Sequence, residues 1–186
     1  MNKHQRTAIS KDLHRYGDDW KKSWIRKYFF LHSPEIKYMI YFRKRQFSES
    51  MIIKYYYQYL MSRISRKTQI QISPDTKIGE GFYIGHCGRI ITNPKAVLGN
   101  NINIATGVTI GQENRGKRKG YPTIGNDVWI GTNAVIVGNI TIGNDVLIAP
   151  NAYVNRDIPS HSIVIGNPAT IHPRENATVD YINNKV

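Results

Sequence analysis

Two adjacent side chains, His86 and Cys87, are the first candidates for chemistry in this sequence. An imidazole with a pKa of about 6.5 can take a proton at neutral pH and give it up again, so His86 could act as a general base. Cys87 is better explained as a small packing residue, because no second activating base stands near it in the sequence. The pair therefore indicates proton transfer by histidine rather than a covalent intermediate on cysteine.

A basic stretch supplies a second kind of chemistry. Residues 112–120 (QENRGKRKG) contain no aliphatic side chain, which indicates a solvated loop. Loops projected from a rigid scaffold often carry function, and cations on them can contact phosphates or another acidic group. The alternative is that these cations are only hydrated. The basic residues of the stretch are Arg115, Lys117, Arg118 and Lys119.

The elements that must position these residues follow a six-residue period. From residue 72 to residue 154 an aliphatic side chain recurs every six positions, usually followed by Gly or Ala and often by Asn or Asp. Neither a helix nor an alternating strand has this period. Three such segments make one coil of about 18 residues in a parallel β-helix, with the aliphatics stacked inward. They are Ile72, Ile78, Ile84, Ile90, Leu98, Ile104, Ile110, Ile124, Ile130, Ile136, Ile142, Ile148 and Val154.

The period slips at two places. Eight positions separate Ile90 from Leu98, which predicts that two residues bulge from a corner around Asn93-Pro94. Fourteen positions separate Ile110 from Ile124, which predicts that 112–120 leaves the solenoid as an extruded loop.

The first 68 residues lack the period and predict helices. Ser33-Pro34-Glu35 has the composition of a helix start, with Ser as N-cap and Pro in the first turn. A second helix is expected across Ser48–Ser65. The domain organisation is therefore a basic helical segment at 1–68, a solenoid at 69–171 with its loop, and a tail at 172–186.

The net charge of +13 is concentrated in the helical segment, where 16 Lys and Arg stand against 5 Asp and Glu. Three interpretations remain open: subunit packing or capping of the solenoid, contact with anionic lipid head groups, and nucleic-acid binding. No recognised motif accompanies the charge, so nucleic acid is the least favoured partner.

Cysteine content and hydropathy predict a cytoplasmic setting. The single cysteine cannot form an internal disulfide, and the segment 1–6 is polar with no signal-peptide pattern behind it. The apolar clusters Tyr28–Leu31 and Tyr38–Phe42 are far shorter than the roughly 20 residues that a membrane-spanning helix needs. A peripheral position at the inner membrane face stays open.

Several motifs resemble a known family. The segment 72–171 is similar to the left-handed β-helix (hexapeptide-repeat) acyltransferases, in the branch of serine acetyltransferases and related bacterial polysaccharide O-acetyltransferases. The resemblance implies a mainly β fold, a left-handed parallel β-helix after an α-helical segment, a homotrimer, and CoA bound between subunits. The motifs are Ser73-Pro74, Lys77-Ile78-Gly79, the segment Gly81–His86, Asn103-Ile104, the segment Gly107–Gly111, and the segment Ile165–Ala169.

The resemblance also implies site residues. His86 matches the catalytic histidine, which would take the hydroxyl proton as an acetyl group moves from acetyl-CoA to the acceptor oxygen. Acetyl-CoA is then a co-substrate, and no metal is expected. The donor side would use Gly111, Gly131, Thr132, Asn167, Pro168 and Ala169, with Lys117, Arg118 and Lys119 near phosphates. The acceptor side would use Gln71, Gly85 and Tyr121.

Two departures from serine acetyltransferases bear on the acceptor. Their supporting aspartate, fifteen residues before the histidine, is Gln71 here, and their Arg-His pair before a proline is Gly120-Tyr121 before Pro122. A neutral amide cannot stabilise imidazolium as a carboxylate does. These differences predict a sugar hydroxyl in surface polysaccharide biosynthesis as the acceptor. The alternatives are serine acetylation for cysteine biosynthesis and a scaffold solenoid without catalysis.

Overall fold

A computed structural model describes residues 3–186 and begins with a helical segment. Residues 1 and 2 of the predicted segment 1–68 lie outside the described residues. A 3₁₀ turn, Asp19–Lys22, separates the first two helices. Among residues 3–186, no helix combines the length and apolar character needed to cross a membrane. The helices are α1 (Lys3–His14), α2 (Trp24–His32), α3 (Pro34–Gln46) and α4 (Met51–Thr68).

The helix ends follow from local sequence. Pro34 occupies the first turn of α3, where its missing N–H costs nothing. Ser33 holds the N-cap position, but its hydroxyl donates to the Phe30 carbonyl at 2.6 Å and does not cap the helix. Helix α4 covers most of the predicted Ser48–Ser65 but begins and ends three residues later. Its last residue is Thr68, and Gln69 caps it in the left-handed conformation.

The rest of the chain is a parallel β-solenoid of about five coils with three faces, each face a sheet whose strands come from successive coils. Face A contains β1 (Ile70–Ile72), β4 (Ile90–Thr92), β7 (Thr109–Gly111), β10 (Val135–Val137) and β13 (Tyr153–Val154). Face B contains β2 (Lys77–Ile78), β5 (Val97–Leu98), β8 (Thr123–Ile124) and β11 (Thr141–Ile142). Face C contains β3 (Tyr83–Ile84), β6 (Asn103–Ile104), β9 (Val128–Ile130), β12 (Val146–Ile148), β14 (Ser162–Ile165) and β15 (Thr170–Pro173).

The predicted aliphatic ladder forms the core of the solenoid. Each of its thirteen members is at most 5% exposed, so the prediction that the six-residue period points inward is confirmed. Each coil buries the aliphatics of its neighbour, which supplies the apolar burial that a single flat coil lacks.

The first slip of the period lies elsewhere than predicted. In the face A register, Ile72 stands opposite Thr92, and Thr92 stands opposite Ile110. Counted through Thr92, the two extra residues fall between Ile84 and Thr92, in the turn that contains His86, so the bulge predicted around Asn93-Pro94 is wrong. The inward position is a threonine whose hydroxyl lies 3.2 Å from that of Thr76, and an aliphatic pattern cannot detect it.

The second slip is a loop, as the gap between Ile110 and Ile124 predicts. Leu98 and Ile124 are register partners on face B although 26 residues separate them, which is eight more than a regular coil of 18. Within the loop, Glu113 and Gly120 form an antiparallel bridge through two backbone hydrogen bonds of 3.0 and 3.1 Å.

Side chains of α1, of the turn that follows it and of α3 close the open edge of the first coil. The Tyr38 hydroxyl bonds both the carbonyl and the N–H of Ile72 on face A, and the Tyr16 hydroxyl does the same with Ile84 on face C. On face B, Arg43 donates to the Ile78 carbonyl at 2.8 Å and to that of Gly79. These bonds satisfy backbone groups that an unpaired sheet edge would leave open.

A buried ion pair anchors this cap. Arg43 and Asp12 are both almost fully buried and meet at 2.7 Å. Asp12 also accepts from the N–H of Phe82 at 2.8 Å, so its carboxylate links α1, α3 and the first coil. The helical segment therefore caps the solenoid, which is one of the three interpretations that its composition left open.

The other end of the solenoid is closed by the C-terminal part of the chain. Strand β15 turns back antiparallel onto β14, so the predicted boundary between 171 and 172 falls inside a strand. Beyond it, Asp145 accepts hydrogen bonds from the N–H groups of Ala177 and Thr178 and from the Thr178 hydroxyl. These bonds fix residues 177 and 178 against the fourth coil, and the tail then runs back toward the second coil, where Asn103 donates to the Tyr181 carbonyl at 3.1 Å.

Candidate active site

His86 lies in an enlarged turn between face C and face A of the first coil. Its imidazole is exposed. The turn is held on both sides, since the Gly88 N–H donates to the Thr68 carbonyl at 2.9 Å and the Gly107 N–H donates to the Arg89 carbonyl at 2.6 Å. The two extra residues thus present a histidine on a turn that is fixed to α4 below and to the second coil above.

Glycine is required at residue 88. Its φ is +150°, and a Cβ there would come within 2.0 Å of the Thr106 hydroxyl oxygen in the next coil. The close approach of Thr106 is what packs the enlarged turn against the regular one above it.

Cys87 is not a nucleophile in this arrangement. Cys87 is exposed and not the small packing residue that the sequence predicts. Its thiol donates to the Glu35 carboxylate at 3.1 Å, and partial desolvation of the thiol, this hydrogen bond and the Glu35 charge raise the pKa of Cys87 to about 11. A thiol with that pKa is protonated at neutral pH and is a poor nucleophile. Its observed role is to tie the His86 turn to the first turn of α3.

Gln71, the predicted neutral substitute for an aspartate, has no hydrogen bond to His86. Among the described residues, neither the Gln71 amide nor the His86 imidazole has a polar partner. Gln71 points outward from β1 into a cleft of about 340 Å³ between α4 and face A. The residues lining that cleft carry no charge, and its polar side chains are Tyr38, Gln58, Ser62, Ser65, Gln71, Ser73 and Thr92.

Several predicted donor residues share one edge of the solenoid with His86. The turns that lead from face C to face A stack on one another, and the hairpin turn between β14 and β15 follows them, since it exchanges two backbone hydrogen bonds with Tyr153. We call this line of turns the His86 edge; its turns are 85–89, 105–107, 131–133, 149–151 and 166–169. Backbone bonds join the turns, as from Asn133 N–H to the Thr106 carbonyl at 3.0 Å and from Asn151 N–H to the Thr132 carbonyl at 2.8 Å. Gly131, Thr132 and the segment 167–169 therefore lie along the same line as His86.

The length of this edge follows from the coil spacing. Neighbouring strands lie about 4.8 Å apart, so Gly131 is about 10 Å and Asn167 about 19 Å along the axis from the His86 coil. Gly85, the predicted acceptor-side glycine, directly precedes His86 in the first turn. An extended ligand lying along the edge could contact both ends.

The remaining predicted residues lie at a different edge. Gly111 ends β7, and the loop 112–120 leaves from there, between face A and face B. The loop folds toward the fourth coil, where the Asn139 N–H donates to the Arg118 carbonyl at 2.8 Å. Tyr121 follows the loop, with the Lys95 ammonium 5.1 Å above its ring. We call this line of turns the loop edge.

One of the loop cations is already paired. Arg118 meets the Glu113 carboxylate at 3.2 Å, while Arg115, Lys117 and Lys119 are exposed and have no ion pair within the described chain. A single chain therefore does not bring the loop cations to His86. Residues 3–186 contain no group of three or more His, Cys, Asp or Glu side chains placed to hold a metal ion.

Comparison with known proteins agrees with this architecture. Residues 121–156 match the family model of the bacterial transferase hexapeptide (six repeats). A serine acetyltransferase of Brucella abortus in complex with coenzyme A superposes with a TM-score of 0.78 at 26% identity, covering 94% of this chain and 70% of that one. The chain therefore has the left-handed β-helix fold of these proteins, and its residues 121–156 carry the hexapeptide repeat.

Further relatives of this chain are also named serine acetyltransferases. Serine acetyltransferase 2 of Arabidopsis thaliana is 39% identical over 112 residues, which cover 60% of this chain and 35% of that protein. The soybean serine acetyltransferase complexed with serine gives a TM-score of 0.76 at 27% identity, covering 92% of this chain and 70% of that one. The chain spans about a third to a half of the length of the curated relatives it matches.

These comparisons bear on the predicted resemblance. They support the resemblance to serine acetyltransferases, and they do not show the resemblance to polysaccharide O-acetyltransferases.

Sequence reasoning missed the residues that hold His86 in place. Gly88 could have been found, because it is a glycine outside the regular position of the repeat. Glu35 and Thr68 gave no signal, since their contacts to the turn join segments far apart in sequence.

Proposed function

We propose that this protein is an acetyl-CoA-dependent O-acetyltransferase with His86 as its general base. The observation that carries the proposal is the His86 edge, which aligns an exposed imidazole with Gly131, Thr132 and the segment 167–169. The same fold occurs in a serine acetyltransferase solved with coenzyme A. Acetyl-CoA is a substrate in this reaction, and no metal takes part in it.

The proposed step is a direct transfer. The acceptor hydroxyl oxygen attacks the thioester carbonyl while His86 takes the hydroxyl proton. The tetrahedral intermediate then collapses, the carbon–sulfur bond breaks, and the thiolate leaves with the proton that His86 returns. Backbone N–H groups of a turn can stabilise the oxyanion, and no acyl-enzyme forms.

Serine is the acceptor that the comparisons favour over the predicted saccharide. The relatives found are named serine acetyltransferases, and the soybean enzyme and that of Neisseria gonorrhoeae have been solved with serine. The first candidate reaction is therefore acetylation of the serine hydroxyl, which was the alternative in the sequence analysis.

A specific observation keeps a sugar hydroxyl as the second candidate. Serine carries a carboxylate and an ammonium group, and charged groups that leave water need charged or strongly polar partners. The cleft at Gln71 does not include His86, but Ile91 and Thr92 of its lining belong to β4, the strand that follows the His86 turn, and all of its side chains are uncharged. An acceptor that extends from His86 into this cleft would meet only neutral side chains, which suits a sugar with several hydroxyl groups.

An acceptor panel tests both candidates. The protein is incubated with labelled acetyl-CoA and either serine, free sugars or nucleotide sugars, and thiol release and labelled product are both measured. Acetyl-serine as the main product establishes the first candidate, and an acetylated sugar establishes the second. Absence of CoA binding by calorimetry, together with absence of thiol release for every acceptor, would leave a scaffold solenoid.

We also propose that the site is completed between copies in a homotrimer. In one chain, His86 and the loop cations occupy different edges of the solenoid, so one acetyl-CoA molecule can reach both only if they come from two copies. Light scattering should give three times the mass of the chain.

A mixing experiment then tests the shared site. His86→Ala and the triple variant Lys117→Ala, Arg118→Ala, Lys119→Ala should each be weak alone and should recover part of the activity when unfolded and refolded together. No recovery, or an active monomer, would contradict a shared site.

We further propose a cytoplasmic location, which is supported by the single free thiol, Cys87.

A further inference from the structure

Helices α2 and α4 each expose a row of large apolar side chains. In α4 the row has helical spacing, with residues 52, 55, 56 and 59 on one side, and Ile52 is 82% and Tyr55 68% exposed. In α2, Trp24 is 79% and Phe29 69% exposed, and no residue of this helix is buried. We call these side chains the aromatic rows; they are Trp24, Ile25, Tyr28, Phe29, Ile52, Tyr55, Tyr56 and Tyr59.

The cap on the solenoid does not use these rows. The side chains described above that bond the first coil belong to α1, to the turn after it and to α3; they are Asp12, Tyr16, Tyr38 and Arg43. Helix α4 packs on α3, and only Met61 and Thr68 of α4 are buried. Monomeric proteins seldom leave so many large apolar side chains of one helix exposed, which indicates a binding surface on each of the two helices.

The charged residues within the two helices are all basic, although exposed acidic residues precede them at Asp18, Asp19 and Glu49. Neither α2 nor α4 contains an acidic residue, and together they carry six Lys or Arg. Arg63 lies beside Tyr59 and donates to its hydroxyl at 3.1 Å, so aromatic and basic groups share one surface. The six cations are Arg26, Lys27, Lys54, Arg63, Arg66 and Lys67.

We propose that the aromatic rows dock the protein on an anionic lipid surface. Trp and Tyr side chains are favoured at a membrane–water boundary, where the ring is buried and the polar atom stays hydrated. Lysine and arginine beside them are attracted to anionic head groups. A second copy of the chain would bring the same excess of positive charge to the contact, so it fits this surface less well than a phospholipid does.

The binding would be peripheral and reversible. No described helix is able to span the bilayer, so only the side chains of the rows would enter the lipid. Basic residues and apolar side chains would act together, so high salt should weaken binding without abolishing it.

Vesicle sedimentation with the full chain tests this proposal. The vesicles are phosphatidylcholine alone or phosphatidylcholine with phosphatidylglycerol, at low and high salt. Two double variants remove apolar rows, Trp24→Gln with Phe29→Gln and Ile52→Gln with Tyr55→Gln. A third, Arg63→Gln with Arg66→Gln, removes charge. The matched control, Lys77→Gln with Val179→Gln, removes one exposed basic and one exposed apolar residue outside α2 and α4.

The expected result is selective pelleting of the unmodified chain and of the control with phosphatidylglycerol vesicles. Loss of each cation should lower the partition coefficient roughly fivefold, and the apolar variants should lower it further. All altered side chains are exposed, and circular dichroism checks that the helices are retained.

Three outcomes would overturn the proposal. Equal pelleting with both vesicle types would remove the anionic surface as partner. Unchanged pelleting of all three variants would show that the aromatic rows and the cations beside them do not bind lipid. A loss of mass in light scattering by the row variants, with no effect on lipid binding, would assign the rows to contact between copies.

Discussion

The two ends of the solenoid are closed in different ways. The first coil is closed by side chains, two tyrosine hydroxyls and a buried Arg43–Asp12 pair, which reach backbone groups on all three faces. The last coil is closed by main chain, because β15 pairs back onto β14 and a tail follows. The first kind of closure needs long-range, specific contacts, whereas the second needs only a turn and a partner strand.

The difference coincides with the position of the candidate chemistry. The coil that carries His86 has one of the two turns that depart from the repeat, and it is also the coil held by buried polar contacts. A regular turn is fixed by its neighbours above and below, but an enlarged turn at the end of the stack has a coil on one side only. We infer that the helical cap replaces the missing neighbour and keeps the His86 turn in place.

The largest expected effect is on catalysis at the first coil. His86→Ala should lower turnover roughly 10²–10⁴-fold, because the hydroxyl proton loses its acceptor. CoA affinity and the melting temperature should stay close to the original values. The control is His4→Ala, an exposed histidine on α1. Turnover near that of the unmodified protein would remove His86 from the mechanism.

The next effect concerns the cap. Arg43→Met should lower the free energy of unfolding by about 3–5 kcal/mol, because it leaves the Asp12 carboxylate buried without a counterion. Lys11→Met is the matched control, since the Lys11–Glu80 pair is about 39% exposed on both sides and should contribute less than about 1 kcal/mol. Denaturant unfolding measures both. Equal effects would mean that the cap does not depend on the buried pair.

The His86 turn itself should be sensitive to one methyl group. Gly88→Ala should cost roughly 1–3 kcal/mol, because its φ of +150° and its contact with Thr106 both exclude a Cβ. Gly116→Ala is the control, since that residue also has positive φ, at +72°, but has no atom within 4 Å of the added group. A smaller cost at Gly88 than at Gly116 would contradict the packing described for the turn.

The last effect is expected at the other end of the solenoid, and its pH dependence is confined to acid pH. Burial would raise the pKa of Asp145, but hydrogen bonds from Thr178 and Ala177 and contact with His161 outweigh it and lower that pKa to about 2. A carboxyl group whose pKa is lower in the folded state than in the unfolded state stabilises the folded state at every pH above its unfolded pKa, which is about 4. This contribution, about 2 kcal/mol, is lost as pH falls from about 4 to 2.

Asp145→Asn provides the comparison for that effect. At neutral pH the variant should be less stable than the unmodified chain, and the difference should shrink between pH 4 and 2, the interval in which Asp145 takes up its proton. Hydrogen exchange at Ala177 and Thr178 should accelerate in the variant. A constant difference across the acid range would show that the carboxylate charge is not what fixes the tail.

Much of the solenoid could be predicted from sequence because its main signal is local. Burial of Ile72 and Ile78 follows from counting six residues, and the extruded loop follows from a gap in that count. The count fails at Ile90, a buried aliphatic six residues after Ile84 that occupies a different register position. Only the pairing of Ile72 with Thr92 reveals that the enlarged turn is the one with His86.

The cap and the support of the candidate site could not be predicted in this way. Tyr38 meets Ile72 across 34 positions, and Arg43 meets Asp12 across 31. Such contacts depend on how helices fold back onto the coil, and residue spacing contains no trace of it. The same reason hides the Glu35 contact to Cys87, which joins α3 to the His86 turn.

The constant register of the later coils means that the length of the solenoid changes only in steps of one coil. From the second coil onward, strands on face A repeat their pairing without a shift, so one further coil would lengthen the His86 edge by about 4.8 Å and change nothing at His86. The distance between the first turn and the segment 167–169 is therefore available only in whole steps. Duplication or deletion of a coil during evolution would adjust the reach of the edge to the length of a ligand while conserving the chemistry at its start.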